Sequence, residues 1–218
     1  LSMNLLQLSF KFAPASTSAI LFSTNPLVVA IFSSLLLREK PSRSQVFGLF
    51  LGVIGSIFVT GSFEASNIVG PLLALSAAVL FGLYTVAGKD LTMRLGSLVV
   101  NSFSFTAGGI INWSLLALKS EPLWQVAGDN WLRLLYLGVF VTGLAYFAYF
   151  TGLSHLDTTA GSSVFFVKPV FASILAWIFL SEPITWNKAV GIVIILLAMG
   201  FVIARPQKTA ASRKEAEA

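Results

Sequence analysis

The stretch TTAGSSVFFVKPVFASILAWIFLSEP, residues 158–183, decides the fold of this chain. It is long enough to cross a bilayer, and it is apolar except for Lys168, which stands near its middle beside Pro169. A charge at that depth is costly unless it faces protein or a water-filled cavity. The stretch closes on Glu182, at the level of the membrane surface. It therefore predicts a spanning helix whose lysine needs a polar environment inside the membrane.

An earlier stretch repeats this pattern, because residues 15–41 read ASTSAILFSTNPLVVAIFSSLLLREKP. Three residue pairs share a separation of 143 positions: Pro26 with Pro169, Glu39 with Glu182, and Gly48 with Gly191. In the same register Asn25 is the counterpart of Lys168. Apolar segments align by chance, but a shared proline, glutamate and glycine indicate an internal repeat.

Composition places the chain in the membrane. It is 56% hydrophobic and 11% charged, with a mean hydropathy of +0.85, whereas soluble domains carry about 25% charged residues. The apolar runs are continuous rather than alternating, which favours helices over a barrel. The net charge of +5 comes from residues at span ends, so it does not indicate nucleic-acid binding. With no cysteine and one histidine, neither a metal centre nor another cofactor is expected.

The hydropathy pattern predicts half a helix at the start and seven complete spans. The spans lie near 16–37, 45–63, 69–88, 96–118, 131–153, 159–180 and 187–204. Loops 38–44 and 89–95 and the polar tail 205–218 together carry nine lysines and arginines, while the opposite side carries four. The positive-inside rule therefore predicts a cytoplasmic C-terminus.

The two copies of the repeat are predicted to be inverted, because Glu39 falls in a cytoplasmic loop and Glu182 in an external one. The fold class is then an all-α membrane protein with two inverted five-helix units, an arrangement typical of secondary transporters. Residues 69–204 form a complete second unit, and residues 1–63 form the C-terminal part of the first. About two and a half spans of the first unit are expected ahead of Leu1.

A small-residue helix start, a mid-span proline and a closing glutamate, present in both copies, resemble the EamA-type drug/metabolite transporter superfamily. The resemblance covers the chain as far as residue 204 and is stronger in the second copy. It implies a ten-helix transporter fold with a central cavity, commonly an exporter of amino acids or other small metabolites. It implies no particular substrate.

Candidate substrate contacts are the polar and aromatic side chains of the spans. Lys168 would bind a carboxylate or phosphate or carry a proton, and Asn25 would be the opposing polar contact; the alternative for Lys168 is a packing role beside Pro169. The further candidates are Tyr84, Asn101, Tyr146 and Tyr149, for which packing or, for Asn101, headgroup contact is the alternative.

The remaining residues of the pattern are predicted to have structural roles. Pro26 and Pro169 remove backbone donors and kink their helices. Glu39 and Glu182 precede the next helix, where a carboxylate meets the positive end of the helix dipole. Gly48 and Gly191 allow close helix packing within the chain, which leaves a homodimer open.

The leading hypothesis is a secondary transporter, most simply an exporter, of small carboxylated or zwitterionic metabolites in a bacterial inner membrane. Its partners would be the solute and the lipid bilayer. An organic-anion or sugar-phosphate exchanger is the alternative within transport, and a non-transporting interaction subunit or inactive fragment is the alternative from another class. An enzyme is disfavoured, because no span pairs a nucleophile with a base.

Overall fold

The computed structural model describes residues 1–60, 67–118, 130–181 and 183–203, and every regular element in these ranges is helical. The α-helices are α1 (Ser2–Ser9), α2 (Ala15–Phe22), α3 (Asn25–Leu36), α4 (Arg43–Thr60), α5 (Val69–Leu95), α6 (Ser97–Leu118), α7 (Trp131–Tyr136), α8 (Ala145–His155), α9 (Thr158–Ser162), α10 (Val167–Leu180) and α11 (Trp186–Ile203). A π-helix, Leu137–Leu144, joins α7 to α8, and a 3₁₀ helix, Ser163–Phe166, joins α9 to α10. The prediction of an all-α membrane protein is confirmed.

Five helical segments are long and apolar enough to cross a bilayer: Thr17–Leu36, Val69–Leu95, Trp131–His155, Thr158–Phe179 and Trp186–Ile203. Helix α4 is apolar over the shorter range Arg43–Val59. Helix α6 has 22 residues, about 33 Å at 1.5 Å per residue, but it carries several serine and asparagine side chains. The chain is therefore a multi-pass membrane protein.

The chain forms two compact units. One consists of Leu1–Ala87 with the chain from Leu156 onward, and the other is Gly88–His155. The repeated segments both belong to the first unit. The second unit holds α6, the α7–π–α8 span and the last two turns of α5.

Helices α4 and α11 are equivalent in the repeat and pack against each other in opposite directions. Their bounds coincide after a shift of 143 positions. A Cβ atom on Gly48 would lie 2.7 Å from the carbonyl oxygen of Ala198, and one on Gly191 would lie 2.8 Å from that of Gly55. The two contacts are equivalent, because the 143-position shift relates Gly48 to Gly191 and Gly55 to Ala198. The first half of each helix therefore packs against the second half of the other. This antiparallel crossing is the geometry that an inverted repeat requires.

The helices that carry the repeated prolines end in the same way in both copies. Arg38 and Ser181, 143 positions apart, have φ angles of 57° and 55°. After α3 the amide of Glu39 donates to the carbonyl oxygen of Ser33, six residues back, at 3.1 Å. A left-handed residue of this kind is a common helix end, and here it turns the chain so that the next amide reaches back to the last turn of α3.

The apolar core of the first unit lies beside the α4–α11 crossing. Phe166 is fully buried against α4, where a Cβ on Gly52 would come within 2.6 Å of its ring. Leu49, Val170 and Ile195 belong to the same buried cluster. Because Phe166 lies in the 3₁₀ turn before Lys168, the core fixes the backbone from which that lysine projects.

Helix α5 continues through residues that the sequence predicted to be a loop. The predicted loop at 89–95 is wrong, because α5 extends to Leu95. Asp90 and Arg94, one turn apart, form an ion pair at 3.0 Å on the extended turns. The helix ends at Gly96, whose φ is +85°. The hydropathy pattern shows where the apolar residues of the span end. The helix itself continues to the residue before Gly96, where the backbone becomes left-handed.

Gly96→Ala is expected to destabilise the protein by about 1 kcal/mol, because an alanine is strained at positive φ. A Cβ at Gly96 would meet nothing within 4 Å, so the cost is conformational rather than steric. Thermal unfolding in detergent measures it. Gly108→Ala in α6 also meets nothing within 4 Å and has helical geometry, so it should not destabilise. Equal melting temperatures for the two variants would contradict this account.

Candidate functional site

The span that carries Lys168 is a broken helix. Its first part, α9, consists of five small residues that are all buried. The carboxylate of Asp157 caps this helix by accepting from the amide of Ala160 at 2.7 Å. A 3₁₀ turn, Ser163–Phe166, follows, and α10 begins at Val167. Small side chains let α9 pack inside the unit, and the change of helix type leads directly into Lys168.

Lys168 is the second residue of α10 and its side chain is exposed. Its Nζ lies 4.2 Å from the centroid of the Phe165 ring, within the range of a cation–π contact. In the part of the chain that the structure describes, no carboxylate forms an ion pair with this ammonium. In this part of the chain the ammonium therefore lies over an aromatic ring rather than beside an acid.

Phe165 belongs to a group of rings that links both copies of the repeat. Phe81 of α5 packs edge-to-face on Phe165 at 5.2 Å and against Phe22, the repeat counterpart of Phe165, at 5.6 Å. Tyr84 lies 5.9 Å from Phe81. Phe81 is 3% exposed, so the group is anchored on a buried ring. We call Phe22, Phe81, Tyr84 and Phe165 the aromatic cluster.

Asn25 occupies the position equivalent to Lys168 but is turned inward. It is 1% exposed, and its side-chain amide donates to the carbonyl oxygen of Ala78 at 3.0 Å. Its Oδ1 accepts no hydrogen bond from any residue that the structure describes. The contact ties α3 to α5. Asn25 therefore has a structural bond, and the prediction that it also contacts substrate stays a prediction.

Both prolines stand in the first turn that follows a helix break. Pro26 is the second residue of α3, after the chain leaves α2 at Phe22, and Pro169 is the third residue of α10, after the 3₁₀ turn. Proline is well tolerated in a first turn because its missing N–H has no partner there. The predicted kinks are thus interruptions just before each proline.

Glu39 caps a helix of the other copy of the repeat. Its Oε2 accepts from the backbone amide of Thr158 at 2.8 Å, at the start of α9 in the second copy. The start of α4 is instead closed by a reciprocal capping box, in which Ser42 and Gln45 bond each other's backbone amides. Glu182 lies outside the described residues. The expectation that Glu39 also meets the positive end of α4 stays a prediction.

A second polar contact joins the same segments. The side-chain amide of Gln45 donates to both carboxylate oxygens of Asp157, at 3.2 and 3.1 Å. Glu39 and Gln45 of the first copy therefore hold the residues on either side of the α9 start. This pair of contacts fixes the broken helix of the second copy at the end remote from Lys168.

The other predicted contacts lie in the second unit. Asn101 is 5% exposed and donates to the hydroxyl of Ser97 at 3.3 Å, and Ser97 donates to the carbonyl oxygen of Phe147. This burial favours a packing role for Asn101, and the prediction that Asn101 contacts substrate stays a prediction. Tyr146 packs edge-to-face on Phe105 at 5.3 Å, and Tyr149 packs against its neighbour Phe150. These contacts have the character of helix packing.

A groove of about 520 Å³ runs along one face of α6 in the same unit. Its lining residues are Thr106, Gly109, Ile110, Trp113, Ser114 and Ala117. None of the predicted site residues contributes to it. It is an open surface feature of a single helix, of the kind that lipid chains cover in a membrane.

Comparison with known proteins decides the family. The profile of the EamA-like transporter family matches residues 1–61 and 68–204. This chain belongs to the EamA-like transporter family. A crystal structure that is 22% identical has the same fold, with a TM-score of 0.80 over 93% of this chain and 71% of the other. The resemblance based on the small-residue helix start, the mid-span proline and the closing glutamate is therefore confirmed.

Three curated relatives of this EamA-like chain are similar along most of its length. An uncharacterized transporter of Clostridium kluyveri is 32% identical over 90% of this chain and 66% of its own length. The uncharacterized transporter YetK of Bacillus subtilis is 27% identical, with coverages of 85% and 59%. The aromatic amino acid exporter YddG of Ancylobacter novellus is 25% identical, with coverages of 77% and 59%. The chain thus spans about two thirds or less of these relatives.

Among the predicted contacts of this EamA-like chain, the structure gathers only Lys168 and Tyr84 around one feature, the aromatic cluster. Phe81 and Phe165 were missed, because nothing distinguishes one phenylalanine from another in apolar spans. A signal was present, since Phe22 and Phe165 keep the 143-residue register and flank the positions of Asn25 and Lys168.

Proposed function

We propose that the protein is a secondary transporter that exports small carboxylated or zwitterionic metabolites, amino acids foremost, by alternating access. Membership of the EamA-like family supports the transport function. The antiparallel crossing of α4 and α11 supports the mechanism, because inverted copies of one unit can exchange their conformations and so open a site to either side of the membrane.

The observation that carries the proposal is the position of Lys168 at a helix break inside a span. Helix breaks beside a midplane site expose polar backbone that can bind solutes. A lysine there supplies a full positive charge and three donors, which suits a carboxylate. Intramembrane ionisable groups otherwise carry a cost that a lipid-facing side chain cannot offset.

Amino acids are the favoured substrate class for two reasons. A relative of this chain is named an aromatic amino acid exporter, and one lysine matches the single carboxylate of an amino acid. Recognition of a phosphate usually requires more than one basic group, and Lys168 is the one basic residue in the predicted span cores. A sugar-phosphate exchanger is therefore less well supported.

The proposal extends to location and orientation. The distribution of lysines and arginines supports a cytoplasmic C-terminus, and short loops suit a bacterial inner membrane. Export then requires the site at Lys168 to load from the cytoplasm and release on the other side.

Paired solutes test the substrate class. Flux through proteoliposomes that contain the full-length protein is measured for a pool of amino acids and organic acids, each beside the carboxamide in which a neutral amide replaces the carboxylate. Loss of a charge-assisted hydrogen bond costs about 1.5–3 kcal/mol, so carboxylates should be favoured at least tenfold. Carboxamides that move as fast as the acids would refute the carboxylate site, and flux of neither class would refute the proposed function.

A further inference from the structure

We propose that Phe165 is the positioning residue for Lys168, its ring face holding the ammonium where a substrate carboxylate arrives. This inference rests on the proposed function and adds a residue that family membership does not assign. The ring neither neutralises the charge nor uses its N–H donors in conventional hydrogen bonds. The lysine is therefore held in place and still open to an anion.

The local backbone explains why these two side chains meet. Phe165 lies in the 3₁₀ turn Ser163–Phe166, and Lys168 follows three positions later. Side chains three positions apart lie on the same side of a 3₁₀ turn or an α-helix, so Phe165 and Lys168 are neighbours across the junction of the two. The Nζ of Lys168 lies 4.2 Å from the ring centroid.

The ring is itself held from behind. Phe81 packs on Phe165 with an interplanar angle of 83°, and Phe81 is buried between Phe165 and Phe22. Edge-to-face pairs of this kind resist rotation of either ring. A fixed ring holds the ammonium at the end of the flexible lysine side chain in one position. Less conformational entropy of the lysine is then lost when substrate binds.

A cation–π contact can hold an ammonium at a site that water reaches, and it strengthens as the cation is desolvated. An acidic partner would pair with Lys168 permanently and compete with the carboxylate of the substrate. A phenylalanine stabilises the ammonium less strongly and does not compete for the same donors. This difference explains how the ring can hold Lys168 and leave it able to bind an anion.

The repeat supplies a matched control in Phe22. It is the counterpart of Phe165, packs on the same Phe81, and precedes Asn25 by the same three positions. The amide of Asn25 bonds the backbone of Ala78 instead of a ring. Phe22→Leu therefore disturbs the packing of the aromatic cluster without touching a cation.

The first test is transport by Phe165→Leu, Phe165→Tyr and Phe22→Leu, each beside wild type. Phe165→Leu should raise the KM for a carboxylated amino acid about tenfold, equivalent to about 1.4 kcal/mol, with little change in the maximal rate. Phe165→Tyr should restore the wild-type KM because it keeps the ring, and Phe22→Leu should change the KM less than about twofold. Equal KM changes in the two leucine variants would overturn the proposal.

The second test does not depend on transport. An amine-reactive acylating reagent is added to the protein in detergent, and mass spectrometry follows modification of Lys168. The ring face stabilises the ammonium form, which does not react, so Phe165→Leu should be acylated several times faster than wild type, Phe165→Tyr or Phe22→Leu. Identical rates of Lys168 acylation in all four proteins would show that the Phe165 ring does not stabilise the ammonium, and would overturn the proposal. Faster acylation of Phe165→Leu with an unaltered KM would show that the ring contacts Lys168 but does not help it bind substrate, which would overturn the proposal. Absence of flux through the wild-type protein would refute only the proposed function.

Discussion

Lys168→Ala is expected to reduce the flux of carboxylated solutes by at least about tenfold, and up to about a hundredfold. The substitution removes the ammonium that stands at the break before α10, and a hydrogen bond to a charged group is worth about 1.5–3 kcal/mol. Uptake by proteoliposomes measures the effect. Because Lys168 lies on the exposed side of the aromatic cluster rather than in the buried core, the fold should persist.

Lys188→Ala is the control for this prediction. It removes the same charge from the same copy of the repeat, but at the start of α11, at the predicted membrane surface. The flux of carboxylated solutes through the Lys188→Ala variant should match the flux through wild type. Lys168→Ala protein that melts at the wild-type temperature and transports carboxylates normally would exclude Lys168 from the site.

Gly191→Ala is expected to destabilise the protein by about 3 kcal/mol. The added methyl group would lie 2.7 Å from a methyl carbon of Val59 and 2.8 Å from the carbonyl oxygen of Gly55. The carbonyl belongs to the backbone of α4 and cannot turn away, so the two helices must separate. Overpacking of this kind costs about 1–3 kcal/mol, towards the upper end where backbone is involved. Thermal unfolding in detergent measures the loss.

Gly200→Ala gives the comparison on the same helix. A Cβ at Gly200 meets nothing within 4 Å, so alanine should be neutral or slightly stabilising through its higher helix propensity. Gly48→Ala should behave like Gly191→Ala, because the repeat exchanges their contacts. Wild-type melting temperatures for both Gly48→Ala and Gly191→Ala would show that α4 and α11 do not cross this closely.

The register of the repeat was the most informative feature of the sequence. A separation of 143 positions relates the two breaks, the two left-handed residues Arg38 and Ser181, and the bounds of α4 and α11. Proline and glycine report backbone geometry directly, and for this reason their positions predicted where helices break and where they approach. Hydropathy predicted which segments are helical.

Contacts between distant residues could not be predicted in the same way. Glu39 bonds an amide 119 positions away, whereas its position just before α4 predicts a contact with the start of that helix. Asn25 and Lys168 are equivalent in register, yet one is buried and the other is exposed. Which way a side chain turns depends on neighbouring helices. Phe165 was missed for the same reason, because its role follows from the placement of Phe81.

The most direct test of the central claim, that Lys168 stands in a water-accessible site within the membrane, is thiol labelling of Lys168→Cys from each side. The chain has no cysteine, so this thiol is unique within it. A membrane-impermeant charged reagent should label it from the cytoplasmic side and from the opposite side. Leu196→Cys, exposed midway along α11, should face lipid and stay unlabelled. Failure to label Lys168→Cys from either side would contradict the account.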